Sequence, residues 1–329
     1  MKEMQHELQT NESQSDILRF NILKKVPLVS ICIVSYNHEE YISEAIESIL
    51  MQITNFDYEI VIGEDCSTDS TKAIVREYEL KYPEIFHAIY QATNVGRQQN
   101  IYEHTLPECK GKYIAYLEGD DYWTDPYKLQ KQVNFMESNP EYSVSFHRYK
   151  ILDQEENTFR DDGCGFLFPN ETIQGVDVNT DLFLANWITQ SLTMVYRKDC
   201  FDFSVVSKYN HFWDIHHIYH LLQNGKGYLF PFEGGVYREH LGGLHSKKSW
   251  EYRSKMGATF ARELYLNNNK DKFLKENYIR TLQWKISCFT TNHYDQRECI
   301  SSIFTHLYYS GSIKRFIRNW YNFIKNMTL

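Results

Sequence analysis

Short, continuous apolar runs alternate with stretches of helical spacing over the first 150 residues, and few architectures accommodate that alternation. Leu28 to Ser35 reads LVSICIVS, rich in β-branched residues and free of charge. A strand of that composition needs both faces covered, as in a sheet with helices on either side. Ile42, Ala45, Ile46, Ile49 and Leu50 then follow the spacing of a helix with one buried face. Tyr58 to Gly63 is a second strand, a helix carrying Ile74, Val75 and Tyr78 follows, and Phe86 to Tyr90 is a third strand. Residues 97–108 are helix-compatible and Tyr113 to Leu117 is the next strand. A helix from Pro126 buries Leu129, Val133 and Met136, and Tyr142 to His147 is a further strand. This order predicts an α/β, mostly parallel, doubly wound sheet with right-handed crossovers.

The pattern loosens after about residue 150. Residues 151–180 carry Asp161, Asp162, Gly163, Gly165 and Pro169 and read as loop-rich. Asp181 to Trp187 suits a helix and Ser191 to Arg197 a strand. Trp213 to Gln223 suits a helix, ended by Gly225, and Gly227 to Phe232 and Gly235 to Arg238 suit two short strands. From Ser249 the chain is nearly all helix-compatible, with one break at Gly311-Ser312. The expected organisation is a lead-in over 1–26 and an α/β unit over 27–245, with halves 27–150 and 151–245. A helical C-terminal extension over 246–329 follows.

A hydrophobic content of 42% and a charged content of 24% describe a globular chain. The net charge of −8 lacks the basic face of a general nucleic-acid binder. Seven scattered cysteines without a Cys-x-x-Cys pair read as reduced thiols of a cytoplasmic protein. Met1 to Asp16 has no apolar signal-peptide core, and no run approaches a membrane span. A soluble protein, able to attach to a membrane surface, is expected.

Chemistry-bearing residues gather where the strands end: Tyr36-Asn37, Glu64-Asp65, and the acids Glu118, Asp120 and Asp121. In an open α/β sheet the carboxyl ends of parallel strands share one edge, where ligands bind. Any one of these residues also suits a turn or a helix cap; all three groups falling on strand ends favours a cleft. Adjacent carboxylates repel unless a cation lies between them, and hard divalent ions are commonly held by carboxylates together with phosphates. Such a cleft suits a nucleotide. Tyr36 can stack on a base, Asp65 can accept from a base imide, Asp120 can accept from a ribose hydroxyl, and Asp121 can hold a metal at the diphosphate. No Gly-x-Gly-x-x-Gly follows the first strand and no Gly-x4-Gly-Lys-Ser/Thr occurs, which disfavours ordinary dinucleotide and P-loop sites.

Four stretches in this order, VSICIVSYN (29–37), EIVIGEDCSTDST (59–71), Asn94 to Asn100 and GKYIAYLEGDDYW (111–123), resemble the successive signatures of family 2 glycosyltransferases. The resemblance covers about 27–245. It implies a GT-A fold and an inverting hexosyltransferase (EC 2.4) that uses a nucleotide sugar, by default a UDP-sugar, with Mn2+ or Mg2+. Residue by residue it implies base contacts from Tyr36 and Asp65, with Asn37 beside them, a ribose or sugar contact from Asp120, and metal binding by Asp121. Glu118 stands where the family usually has Asp. Gln99 stands where it often has Arg, and Arg97 is the nearby residue that could replace it. Asp214, Gly225 and Tyr237-Arg238-Glu239-His240 match the family's second-half pattern in order and spacing. The resemblance therefore makes Asp214 the candidate base and turns Arg238 and His240 toward the diphosphate or metal. A carboxylate within hydrogen-bond reach can take the proton of an attacking hydroxyl; Asp214 also suits the first turn of a helix. The implied acceptor is a saccharide or lipid-linked saccharide, in the assembly of a bacterial surface polysaccharide. A non-catalytic nucleotide- or sugar-binding relative of the same fold is the alternative.

Two features compete with or extend this reading. His216 and His220 stand i, i+4 on a helix, the spacing of a zinc pair, although no third ligand has a familiar spacing. A zinc-dependent hydrolase is the reading they would carry, and a helix face of ordinary histidines the alternative. In residues 311–327, Ile313, Phe316, Ile317, Trp320 and Ile324 repeat at helical spacing beside Lys314, Arg315, Arg318 and Lys325. A basic amphipathic helix suits peripheral contact with an anionic membrane, here the inner face of the cytoplasmic membrane, or docking on the catalytic domain.

Overall fold

A computed structural model describes residues 26–243, 248–268, 271–291 and 295–327. The expected lead-in therefore lies, but for Val26, outside the described residues. Strand β1 (Val29–Ser35) is buried along its whole length. It lies between β2 (Tyr58–Glu64) and β4 (Tyr113–Glu118), parallel to both. Successive residues point to opposite faces: Val29, Ile31 and Ile33 join one hydrophobic cluster, Cys32 and Val34 the other. That is why the run tolerates no charge.

Helix α1 (Ile42–Leu50) buries Ile42, Ala45, Ile46 and Ile49 under the sheet. Helix α2 (Thr71–Lys81) leads to β3 (Phe86–Tyr90), which pairs parallel with β2. Residues 97–108 form α3, whose middle, Asn100–Thr105, is wound as a π-helix. After β4 come a two-residue strand, β5 (Tyr122–Trp123), and α4 (Lys128–Ser138). This helix starts two residues after Pro126, because the Pro126 carbonyl accepts from Ile53 N–H and Asp125 holds the intervening turn.

The second half departs further from expectation. β6 runs over Tyr142–Asp153, well past His147, because β10 (Lys226–Glu239) pairs beside it and β7 (Thr158–Asp161) folds back on it. β10 itself is one strand where two were expected. Its register shifts between Phe230 and Glu233 and again before Gly235, around Pro231, which has no N–H to give the ladder. β8 (Val176–Val178) pairs with β10, α5 spans Thr180–Asn186, and β9 is reduced to Val195–Arg197 because residues 191–193 make a tight turn. α6 covers Asp214–Gln223. The sheet order is β3-β2-β1-β4-β9-β6-β10-β5, with β9 antiparallel to β4 and β6.

Four helices follow: α7 (Trp250–Asn267), α8 (Lys272–Thr291), α9 (Gln296–Ser310) and α10 (Ile313–Met327). Ala258, Ala261, Leu264, Tyr265, Leu274 and Tyr278 join the cluster that holds Cys32, Tyr116 and Phe146 of the sheet. α8 to α10 share a satellite cluster of Ile286, Phe289, Ile303 and Phe323. Gly311 ends α9 at φ 63°, the left-handed conformation that glycine adopts without cost.

Candidate active site

The carboxyl ends of β1, β2 and β4 open on one cleft of about 770 Å³. Tyr36, Asp65, Arg97, Asp120 and Asp214 all line it, from five separate segments of the chain. Tyr36 is 41% exposed, as a stacking platform requires. Asp65 is buried, and its two carboxylate oxygens accept from Val95 N–H at 2.8 Å and Gly96 N–H at 2.9 Å. The Asn94–Gly96 turn is thereby fastened to the end of β2, and each Asp65 oxygen keeps a lone pair for a ligand.

Arg97 follows this turn. Its Nη2 donates to Glu118 Oε1 at 2.9 Å and to Asp214 Oδ1 at 2.5 Å, and its guanidinium lies 5.1 Å from the Trp213 ring. Arg97 therefore joins the acids after β4 to the first turn of α6. Gln99 is exposed and does not line the cleft, so Arg97 is the residue that reaches it.

Glu118, Asp120 and Asp121 bring ligand oxygens within 4.8 Å of one another. The three neighbours have different surroundings. Asp120 faces the cleft, with its Oδ2 3.1 Å from His240 Nε2 and 3.8 Å from His38 Nε2. Burial pushes the Asp120 carboxyl up, but His38 and His240 outweigh it and hold it below its ordinary range. Glu118 is pushed up to about 7 by burial, against the pull of Arg97. Asp121 is 1% exposed; its Oδ1 accepts from Arg238 N–H at 2.8 Å and its Oδ2 has no hydrogen-bond partner. Burial, then the charges of Asp120 and Glu118, push its carboxyl well above the ordinary range. A buried orphan oxygen among carboxylates and an imidazole is a donor set that fits a hard divalent cation.

Two expected contacts lie elsewhere. Asn37, at φ 56°, accepts from Thr68 N–H at 2.8 Å through its side chain, and its own N–H donates to Ser67 Oγ at 3.0 Å. It ties two strand-end loops together without lining the cleft. Arg238 is 5% exposed and spends its guanidinium on the Asp120 carbonyl at 2.8 Å, on Gln154 and on Glu44. It braces the acid cluster from behind.

His216 and His220 do not converge as a metal pair. His216 Nδ1 accepts from Trp213 N–H at 3.1 Å, and His220 Nε2 lies 2.9 Å from the Tyr209 hydroxyl. Burial pushes His216 and His217 down to about 3 and His220 to about 4. Among the described residues, the acid triad is the one cluster of three potential metal ligands. Sequence reasoning missed His38, although it sits on the same loop as Tyr36. It also missed the tryptophans of the cleft, Trp187, Trp213, Trp250 and Trp284, for which spacing gives no signal.

The sequence profile of glycosyl transferase family 2 matches residues 30–188. An uncharacterised protein of Mycobacterium tuberculosis is 36% identical over 232 residues, 68% of this chain and 64% of that protein. Residues 30–188 belong to glycosyltransferase family 2. The aligned region spans under two thirds of the mycobacterial relative's length. TuaG of Bacillus subtilis, whose name assigns it to teichuronic acid biosynthesis, is 36% identical over 129 residues, 39% of this chain and 49% of TuaG. The crystal structure of S. aureus TarS 1-349 in complex with UDP-GlcNAc shares the fold, with a TM-score of 0.62 at 17% identity over 91% of this chain and 88% of that one. This likeness establishes a GT-A-type α/β architecture with a helical C-terminal region. The family 2 profile takes in Tyr36, Asp65, Arg97 and the acid triad, and ends before Asp214, Arg238 and His240.

Among the described residues, no helix is long and apolar enough to cross a membrane.

Proposed function

We propose that this chain transfers a hexose from a UDP-sugar to a saccharide or lipid-linked acceptor, with inversion, in bacterial surface polysaccharide synthesis. The observation that carries the reading is the convergence of Tyr36, Asp65, Arg97, Asp120 and Asp214 on one cleft. Tyr36 and Asp65 take the base, and Asp120 serves the ribose-diphosphate side. Asp214 accepts the proton of the acceptor hydroxyl as its oxygen bonds to the anomeric carbon and the bond to the diphosphate breaks. Displacement in one step inverts that carbon. Arg97 holds the Asp214 carboxylate in place, 2.5 Å away. The UDP-GlcNAc bound by the TarS neighbour supports the donor class, and the name of TuaG supports the polysaccharide context.

Asp120, His240 and the orphan Oδ2 of Asp121 are the groups that would hold Mn2+ or Mg2+. Such a cation, when bound, offsets charge on the leaving diphosphate. A peripheral contact with an anionic membrane is supported by α10, whose Ile313, Ile317, Tyr321 and Ile324 are exposed beside Lys314, Arg318 and Lys325. It would place the enzyme on the cytoplasmic face, where nucleotide sugars are at hand.

The test measures melting temperature with a panel of nucleoside diphosphates, with and without Mn2+, and UDP release from UDP-GlcNAc. A ligand selective for the folded state raises the melting temperature. A Mn2+-dependent shift with UDP is expected, together with turnover that Asp214→Asn lowers by roughly 10²- to 10⁴-fold, the usual worth of a general base. A UDP shift without turnover would favour a non-catalytic relative. No shift with any nucleotide would sink the reading.

A further inference from the structure

Four of the chain's six tryptophans, Trp187, Trp213, Trp250 and Trp284, line the same cleft as the strand-end acids. They come from the far wall, built by the end of α5, the start of α6, and the facing sides of α7 and α8. Trp187, Trp250 and Trp284 are 42%, 59% and 38% exposed. A tryptophan buried on folding gains from burial, and three left half-open along one concave wall are available to a ligand. Trp213 is engaged on both sides, by the Arg97 guanidinium at 5.1 Å and the Phe260 ring at 5.6 Å.

The backbone is shaped around two of the open rings. Trp187 caps α5 at φ 40°, a left-handed conformation that bulky side chains rarely adopt and that collects at functional sites. Gly257 of α7 faces the Trp284 ring, and a Cβ there would come within 3.1 Å of Trp284 Cζ3. Trp284 thus lies against the α7 backbone, where a larger residue would displace it.

Arg253 stands on the same wall, with its guanidinium 5.4 Å from the Trp250 ring. Its Nε is buried and has no hydrogen-bond partner, and among the described residues no carboxylate pairs with it. The strand-end side of the cleft carries Asp65, Glu118 and Asp120. An unpaired planar fork facing an acid-lined cleft suits a carboxylate or phosphate.

We propose that this wall is a saccharide subsite in which Trp187, Trp250 and Trp284 stack on sugar rings and Arg253 reads an anionic substituent. The negative face of an indole meets the electron-poor C–H groups of a pyranose. Asp214 follows Trp213 in the chain and lines the same cleft, so a sugar held here is placed to present a hydroxyl to it. The proposal rests on the transferase reading for its role as acceptor site, and on the wall itself for binding.

The test uses the full chain on immobilised polysaccharides: dextran (neutral), polygalacturonate (carboxylate) and poly(glycerol phosphate)-type teichoic acid. Binding is measured with and without UDP and Mn2+, and the UDP-induced melting shift is recorded alongside. The expected result is preference for one anionic polymer over dextran. Trp250→Ala and Trp284→Ala should each weaken binding by roughly tenfold, the scale of one lost stacking contact. Arg253→Gln should abolish the preference, and which polymer binds distinguishes carboxylate from phosphate. All three variants should keep the UDP shift. Absence of binding to all three polymers by a wild type that retains the UDP shift overturns the subsite and leaves the transferase reading standing. Equal binding by wild type and variants also overturns it. Tryptophan-dependent binding without any UDP shift keeps the subsite and removes the transferase reading.

Discussion

Asp120 and Asp121 are neighbours in the chain, yet their carboxylates have different work. Asp120 faces the cleft with two imidazoles on it, whereas Asp121 is buried behind it and takes the Arg238 N–H. A carboxylate turned to the cleft can reach an ion that also meets a ligand there; one behind it has only its unpartnered Oδ2 to offer that ion. Asp120→Asn is therefore expected to remove the Mn2+ dependence of the UDP melting shift. Asp121→Asn is expected to weaken it by a smaller factor, with the Arg238 N–H contact kept by the amide oxygen. Calorimetric titration of Mn2+ into the UDP-bound variants checks the ranking, and a larger loss for Asp121→Asn would reverse the assignment. The strand-end rule made both acids legible as a pair. Their division of labour was not legible, because it depends on β10 bringing Arg238 and His240 across from the other half of the chain. The same holds for Asn37 and Arg238, whose sequence positions suit a ligand and whose side chains are absorbed by the scaffold.

Helix α6 carries its histidines inward. His216 and His217 are buried, and burial holds both near 3, below the ~6.5 of a free imidazole. With the folded-state value depressed, the unfolded chain takes up protons first as pH falls. Stability is then full above about pH 6.5 and falls by on the order of 1 kcal/mol per histidine per pH unit below it. The melting temperature should drop between pH 7 and 5, and His217→Gln, which can still meet Tyr102, should flatten the drop. An identical slope in the variant would show that other groups set it. Helix α10 divides one apolar arc between two surfaces. Phe316, Trp320 and Phe323 pack toward α8 and α9, while Ile313, Ile317, Tyr321 and Ile324 are exposed. The helical spacing was plain in the sequence, but the split was not, since periodicity cannot say how wide a stripe its neighbours cover. Each basic residue near an anionic surface adds about 1 kcal/mol of attraction. Co-sedimentation with vesicles containing phosphatidylglycerol should exceed that with pure phosphatidylcholine and weaken in about 0.5 M salt, where charges are screened. Ile317→Glu/Ile324→Glu should abolish it. Equal pelleting with both lipids would refute an electrostatic contact, and salt-insensitive self-association of the wild type would point to a second copy as the occupant.

At the scale of the whole molecule, the helical extension and the sheet share one core. Cys32 of β1, Tyr116 of β4 and Phe146 of β6 belong to the cluster that also takes Ala258, Leu264 and Tyr278 from α7 and α8. The sequence break near 245 is a change of pattern, from strand alternation to helical spacing, and pattern reports local geometry rather than which faces end up in contact. The strands were legible because β1, β2 and β4 are covered on both sides and carry apolar centres, Ile31–Val34, Ile60–Ile62 and Ile114–Leu117, with charge only towards their ends. The cover on one of those sides comes from α3 and α6, and α7 packs on the outer side of α6 through Phe260 against Trp213 and His216, which no local signal announces. A chain ending at residue 245 would uncover the outer side of α6, where Trp213 and His216 lose Phe260, and would remove the apolar residues that α7 and α8 give to the shared core. Uncovered apolar surface costs roughly 25 cal/mol per Å², and a few hundred Å² is comparable to the whole stability of an ordinary domain. The full chain should therefore melt in one principal transition that takes the sheet and α7–α8 together, with α9 and α10, held by the smaller satellite cluster, free to fray first. The truncated chain should show no sharp calorimetric transition and should bind a hydrophobic dye at pH 7. A truncated chain that melts cooperatively within a few degrees of the full one would mean that the sheet closes its own core, and that the extension serves the cleft alone.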